Sequence, residues 1–111
     1  MDFILLPQIS FSKKKKSIMF KTNEYFDGKV VSLAFNNDEG DVTVGVMAPG
    51  EFEFGTSTIE YMTVISGELI VQLPEESTWK SYKPFETFIV QKDTKFKVKV
   101  DMETAYKCVY K

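Results

Sequence analysis

The sequence predicts an all-β domain, a barrel or sandwich of about nine short antiparallel strands. Apolar and polar residues alternate with a period of two in "EFEF" (51–54) and "KFKVKV" (95–100). That period places successive side chains on opposite faces of a strand. Turn-forming clusters such as "NNDEGD" (36–41) and "LPEES" (73–77) separate the segments at roughly regular spacing, and no stretch has a helical period. This combination is typical of all-β domains.

The predicted strands follow one another from residue 29 to the C-terminus. The first two cover 29–35 and 42–47, and the third, at 51–54, has Phe52 and Phe54 on one face. Segments 61–66 and 68–73 flank Gly67, and we expect them to form a tight hairpin. The remaining predicted strands cover 79–82, 87–90, 95–100 and 104–110. In "KFKVKV" we expect the apolar residues to pack inward and the lysines to form the wet face of a sheet.

The composition limits the chemistry that the chain can perform. The 111 residues suffice for one domain and include no His and one Cys, Cys108, which has no internal disulfide partner. Without His there is no partner to activate a Ser or Cys nucleophile, and the usual zinc or iron ligand set is missing. Residues 1–22 carry five Lys and one Asp, whereas 23–111 carry nine Lys and fifteen acidic residues. The acidic domain argues against nucleic-acid binding.

The N-terminal segment 1–18 differs from the rest of the chain. Its apolar run is interrupted by Pro7 and is too short to span a bilayer, and "KKKK" (13–16) follows the run instead of preceding it as in a secretory signal. We expect an extension that is disordered or lies outside the domain, with 19–111 forming the domain. A polybasic tail that binds a membrane or nucleic acid is the alternative.

The segment "EYMTVISGEL" (60–69) has a Glu, six residues and then a Gly. This spacing ends the first sequence motif of the cupin barrels, in which two His ligands precede the Glu in the metal-binding members. Thr56 and Thr58 occupy those positions here, and Phe96 stands where the second motif has its His. The sequence therefore disfavours a metal site. Glu60 shares a strand face with Met62, so it lies either inside the barrel or at the strand end on the surface.

Five segments together resemble one family. The segments are "NEYFDGKV" (23–30), "VGVMAPGEFEF" (44–54), "EYMTVISGEL" (60–69), "LPEESTW" (73–79) and "TAYKCVY" (104–110). They are similar to the pyrimidine/purine nucleoside phosphorylases, which are small single-domain cupins, and the resemblance covers residues 19–111. It implies an antiparallel, jelly-roll-like cupin barrel that forms a homodimer. The single cysteine makes the cytoplasm the expected location, and we expect neither a membrane nor nucleic acid as partner.

The resemblance also implies an activity. The family converts purine and pyrimidine nucleosides and inorganic phosphate, the co-substrate, to a free base and a pentose 1-phosphate, with no cofactor. Members often have Gly near Phe85 and Pro near Gln91, and some carry Arg at the positions of Asp41 and Val109. Since both Arg positions are lost here, we expect lysine side chains or backbone N–H groups to bind phosphate.

Breaking an N-glycosidic bond passes through a cationic, oxocarbenium-like sugar, which a nearby carboxylate stabilises. We therefore predict Glu60 as the catalytic residue. Thr58 is predicted to contact the sugar or phosphate. Met62, Phe96 and Tyr106 are predicted to line the base pocket, although Met62 and Phe96 fit simple core filling as well.

Three other functions remain open at this point. A non-catalytic cupin that binds a small sugar or nucleoside is the main alternative, because a fold does not determine function. A small oligonucleotide-binding barrel is opposed by the acidic domain. A metal-dependent dioxygenase or isomerase is opposed by the missing ligands.

Overall fold

The computed structural model describes residues 19–111, which form ten β-strands and no helix. The strands are β1 (Lys21–Tyr25), β2 (Val30–Asn37), β3 (Gly40–Met47), β4 (Gly50–Gly55), β5 (Glu60–Ser66), β6 (Leu69–Gln72), β7 (Lys80–Tyr82), β8 (Thr87–Val90), β9 (Lys95–Val100) and β10 (Thr104–Tyr110). The all-β prediction is confirmed. Residues 1–18, the predicted extension, lie outside the described residues.

The strands form two antiparallel sheets. The six-stranded sheet has the order β1-β2-β3-β10-β5-β8, and the four-stranded sheet has the order β4-β9-β6-β7. Each sheet turns one apolar face inward, and the two faces form a single buried core that includes Val64 and Val90 from one sheet and Val71 and Val98 from the other. Burial of these branched side chains stabilises the packing of sheet against sheet.

The alternation in β9 has the expected orientation. Phe96, Val98 and Val100 are buried, whereas Lys95 and Lys97 are exposed. The lysines of β9 lie beside the acidic residues of β4, because Glu53 pairs with Lys97 in the register of the two strands. The basic stripe is therefore the solvated face of a sheet, as predicted.

The predicted hairpin around Gly67 is wrong. Strand β5 pairs with β10 and β8, whereas β6 pairs with β7 and β9, so the chain changes sheets at Gly67. Gly67 has φ +94°, and a methyl group here would collide with the buried Thr104. Thr104 Oγ1 accepts a hydrogen bond from the backbone N–H of Glu68 at 3.1 Å, which fixes the crossing. A turn glycine looks the same in sequence whether its strands pair or diverge.

The first strand, β1, was missed by the sequence prediction. It is an edge strand paired with β2 alone, and four of its five residues are exposed. An edge strand with little buried surface has no apolar alternation to reveal it.

The turn between β7 and β8 contains a strained residue. Phe85 has φ +73° and is 81% exposed, and its backbone N–H donates to the carbonyl oxygen of Val64 at 2.7 Å. A left-handed conformation costs a non-glycine residue about 1–2 kcal/mol, and the exposed ring recovers little of it by burial.

We expect Phe85→Gly to stabilise the protein by about 0.5–1 kcal/mol. The substitution removes the left-handed strain, and the greater entropy of the unfolded glycine offsets part of that gain. Urea unfolding of Phe85→Gly and Phe85→Ala separates backbone strain from loss of the ring. If Ala stabilises as much as Gly, the strain explanation is wrong.

Candidate active site

A cavity of about 240 Å³ opens at one end of the barrel, between the two sheets. Its wall combines residues from both sheets and from the β1–β2 turn: Tyr25, Phe26, Met47, Glu53, Phe54, Gly55, Glu60, Met62, Phe96 and Tyr106. Concave apolar sites with a few convergent polar groups are the usual ligand sites of proteins.

One side of the cavity is aromatic. The ring of Phe26 lies 5.0 Å from that of Phe52 and 5.6 Å from that of Phe54, edge-on to the latter. Phe54 in turn lies 5.6 Å from Phe96, between centroids. These distances are typical of favourable aromatic pairs. The rings are tilted or edge-on to one another and together form an apolar wall along one side of the cavity.

The β1–β2 turn places Phe26 in this cluster. Phe26 and Asp27 have φ values of +55° and +57°, and Gly28 has φ +84°. This left-handed run reverses the chain so that Phe26 packs on β4. Backbone hydrogen bonds from Gly28 to Tyr25 and from Lys29 to Phe26, both 3.2 Å, close the turn. A run of non-glycine residues with positive φ is strained and often lies at a functional site.

Glu60 is the first residue of β5, and its side chain reaches the cavity on the same strand face as Met62. In the sheet it pairs with Tyr110 of β10 and Val90 of β8. Burial raises the pKa of the Glu60 carboxyl, and a hydrogen bond from Cys108 opposes part of that rise. The carboxylate is therefore partly desolvated and has one nearby donor.

Tyr106 supplies the second polar group of the inner wall. Burial raises the pKa of its hydroxyl to about 12, and a hydrogen bond with Ser32 works in the opposite direction. The hydroxyl thus stays protonated at neutral pH. Gly45 makes room for it, because a Cβ atom on Gly45 would lie 2.7 Å from the Tyr106 hydroxyl and 2.7 Å from the Val31 carbonyl oxygen.

The structure brings four of the five predicted site residues together. Glu60, Met62, Phe96 and Tyr106 all line the cavity, whereas Thr58 is not part of its wall. The hydroxyl oxygen of Thr58 is buried and has no hydrogen-bond partner within residues 19–111. The roles assigned to these five residues stay predictions, and Thr58 is the one that the cavity geometry does not support.

Sequence reasoning missed the aromatic side of the site. Tyr25 and Phe26 directly precede a "DG" turn signal in "EYFDGK", and this pair could have been noticed as two aromatics at a chain reversal. It also missed the contact between Cys108 and Glu60, since only the register of β5 on β10 brings them together. Cys108 is buried.

The cavity offers little to a metal ion or to an anion. Within residues 19–111 there is no cluster of three or more His, Cys, Asp or Glu side chains that could hold a metal ion. Glu60 is the carboxylate that faces the cavity, since the Glu53 side chain lies on the exposed face of β4, opposite Phe52 and Phe54. The described wall residues include no lysine. Residues 19–111 include no helix that is long and apolar enough to cross a membrane.

Comparisons with solved structures support the fold. A protein from Vibrio parahaemolyticus, described as of unknown function, superposes with a TM-score of 0.81 at 45% identity, covering 85% of this chain and 100% of that one. An RmlC-like cupin from Shewanella frigidimarina superposes with a TM-score of 0.63 at 11% identity, covering 83% of each chain. At such low identity the second likeness concerns the fold alone, and it confirms the cupin prediction.

Sequence comparison is more specific. A protein of Alcanivorax borkumensis named pyrimidine/purine nucleoside phosphorylase is 54% identical over 92 residues, which are 83% of this chain and 98% of that protein. The family model described as "Pyrimidine/purine nucleoside phosphorylase" matches residues 20–110. The chain therefore belongs to the pyrimidine/purine nucleoside phosphorylase family.

Proposed function

We propose that the protein is a pentosyltransferase that cleaves purine and pyrimidine nucleosides with inorganic phosphate. The products are the free base and ribose or deoxyribose 1-phosphate. One observation carries the proposal: a partly desolvated carboxylate, Glu60, lies in an aromatic cavity at the barrel end. Family membership supplies the reaction class, and the cavity supplies a place for it.

The composition of the wall favours broad specificity. The polar side chains that face the cavity are the Glu60 carboxylate and two tyrosines, and the other side chains that face it are apolar. Asn, Gln and Arg, the usual readers of base edges, are missing from this wall among the described residues. Rings such as Phe26 and Phe54 bind any planar base by stacking and burial, because every base has a π-face.

Glu60 acts on the part that all nucleosides share. A phosphate oxygen forms a bond to C1′ as the C1′–N bond breaks, and the electron pair leaves with the base, which then takes up a proton. Positive charge develops on the ribose in the transition state, where the C1′–N bond is largely broken and the bond to phosphate is not yet complete. An ionised carboxylate beside the ribose stabilises that charge and accepts hydrogen bonds from the sugar hydroxyls.

Phosphate enters as co-substrate, and the proposed reaction uses neither cofactor nor metal. The Glu60 carboxylate repels a phosphate dianion, so we place the phosphate at the open rim of the cavity. Backbone N–H groups or rim lysines would hold it there. Thr58, two residues before Glu60 in the chain but outside the wall, remains a candidate contact for sugar or phosphate.

We expect the purified protein to release base from both uridine and adenosine only when phosphate is present. The controls are the same reaction without phosphate and with arsenate, which substitutes as the nucleophile.

We expect Glu60→Gln to lower kcat by about 100- to 1000-fold, the usual effect of removing one group that stabilises transition-state charge. The KM for phosphate should stay unchanged, and Glu51→Gln, at an exposed position of β4, is the matched control.

The same substitution should stabilise the fold at neutral pH. The folded-state pKa of Glu60 is raised, so its ionisation destabilises the folded protein above that pKa and has no effect below the unfolded value of 4.5. Glu60→Gln removes this cost, and its melting temperature should exceed that of wild type at pH 8 and approach it near pH 4.

Two results would contradict these assignments. Wild-type turnover by folded Glu60→Gln would remove Glu60 from the mechanism. Nucleoside binding without phosphate-dependent release of base would favour the non-catalytic sugar or nucleoside binder instead.

We further infer that two copies form a homodimer through the outer face of the six-stranded sheet. Leu33, Val44 and Val46 of β2 and β3 point away from the core and are 46%, 37% and 50% exposed. Leu33 and Val44 are direct cross-strand neighbours, so the apolar surface is continuous. Exposed apolar sheet faces of this kind usually contact another protein.

We also propose a cytoplasmic location, which fits the free Cys108 and can be tested by cell fractionation.

We expect Val46→Glu to convert a dimeric wild-type protein to monomer in analytical ultracentrifugation, because it places a charge in an apolar interface. Gln72→Glu, on the outer face of the other sheet beside Lys97, should leave the dimer intact. A wild-type protein that sediments as a monomer at micromolar concentration would contradict the proposed dimer.

A further inference from the structure

The thiol of Cys108 touches the carboxylate of Glu60 inside the barrel. The distance from Cys108 Sγ to Glu60 Oε1 is 3.6 Å, within the range of a hydrogen bond to sulfur. In the register of the two strands, Glu60 is opposite Tyr110 and Met62 is opposite Cys108, so the thiol reaches the carboxylate diagonally. Both side chains lie on the inward face of the sheet.

Cys108 belongs to a row of polar side chains that runs from Thr43 through Tyr110 and Cys108 to Glu60. Tyr110 is two residues further along the same face of β10, and its hydroxyl lies 2.9 Å from the Thr43 hydroxyl. A hydrogen bond from Tyr110 lowers the pKa of Cys108. If Thr43 donates to Tyr110, Tyr110 to Cys108 and Cys108 to Glu60, each of the three hydrogens has an acceptor.

The thiol in this row is a donor and not a nucleophile. Cys108 is 1% exposed. Burial above all, and next the charge of Glu60, raise the pKa of Cys108 well above its ordinary value. A thiol that stays protonated reacts poorly, but it can donate its S–H to a carboxylate.

We propose that Cys108 is the positioning residue of Glu60: its thiol donates a hydrogen bond that holds the carboxylate ionised and directed into the cavity. The proposal rests on the proposed function, because it takes Glu60 as the carboxylate that acts on the ribose. Cys108 itself touches no reacting atom in this scheme.

Other groups around Glu60 do not replace this donor. On the same strand as Cys108, the hydroxyl of Tyr110 forms a hydrogen bond with the hydroxyl of Thr43. The hydroxyl of Tyr106 interacts with Ser32. Across the cavity, Tyr25 and Glu53 complete the titratable groups of the wall, and β8 contributes the apolar Val90. Within residues 19–111, the thiol is the one side-chain donor recorded for the carboxylate.

The test compares variants that keep or remove the donor. Cys108→Ser keeps a hydroxyl donor, whereas Cys108→Ala and the bulkier Cys108→Val remove it. Val71→Ala, a buried position on the four-stranded sheet, is the control for a small loss of core volume. Two readouts are needed: the titration of the Glu60 carboxyl by ¹³C NMR, with its signal assigned from Glu60→Gln, and the pH profile of kcat/KM for uridine.

We expect the Glu60 pKa to rise in Cys108→Ala and Cys108→Val, because the hydrogen bond that favours the ionised form is gone. The acid limb of kcat/KM should move to higher pH by the same amount. At pH 5 the loss should be about three- to tenfold, the usual effect of losing one hydrogen bond, and it should shrink by pH 8. Cys108→Ser should restore the wild-type profile, and Val71→Ala should leave it in place.

Two outcomes would overturn the proposal. In the first, Glu60 titrates as in wild type when the donor is absent. In the second, Ala, Val and Ser variants all lose activity equally at every pH, as for a purely structural role. If the wild-type protein has no phosphorolysis activity, the proposed function fails, while the NMR titration still decides whether Cys108 holds Glu60. Since Val leaves no cavity in the space of Cys, it keeps the test valid if Ala does not fold.

Discussion

The position of β10 between β3 and β5 is the constraint on which the site depends. The strand pairs with Asp41–Met47 of β3 on one side and with β5 on the other, and its inward face carries Tyr106, Cys108 and Tyr110. A slip of one residue would turn all three side chains outward. A bulge fixes the register: Ala105 is opposite Ser66 and Tyr106 is opposite Val64, so Ile65 is the extra residue of β5. Bulges of this kind often aim side chains at active sites.

A buried carboxylate is unfavourable for the fold and useful for the proposed chemistry. Burial raises the pKa of Glu60 because the ion loses water, and the nearby thiol restores part of that solvation. The same loss of water strengthens the interaction of the carboxylate with a cationic sugar. The site thus sacrifices some stability at neutral pH for a charge in a dry, aromatic environment, as functional sites often do.

Much of the fold could be predicted from the sequence because period-two alternation survives wherever one sheet face is buried. That was true of β9, where every second residue is a lysine, and it failed for β1, where four of five residues are exposed. The change of sheet at Gly67 could not be predicted, since a turn glycine does not reveal whether its strands pair. It became visible only with Thr104 packed against it.

At the site, the local sequence pattern was enough to single out Glu60 and the strand face that it shares with Met62. The proposed chemistry came from the family resemblance. The contact of Glu60 with Cys108 joins residues that are 48 positions apart in the chain. The packing of Tyr106 against Gly45 depends on the pairing of β10 with β3. Such contacts are set by register between strands distant in sequence, which no local pattern encodes. The turn that brings Phe26 onto β4 depends likewise on three successive positive φ values.

A crystal structure with uridine bound in the absence of phosphate tests the central claim most directly. We expect the ribose hydroxyls within hydrogen-bond distance of the Glu60 carboxylate, and the base against the rings of Phe26 and Phe54. A nucleoside bound outside this cavity, or bound inside it with the ribose turned away from Glu60, would contradict the claim.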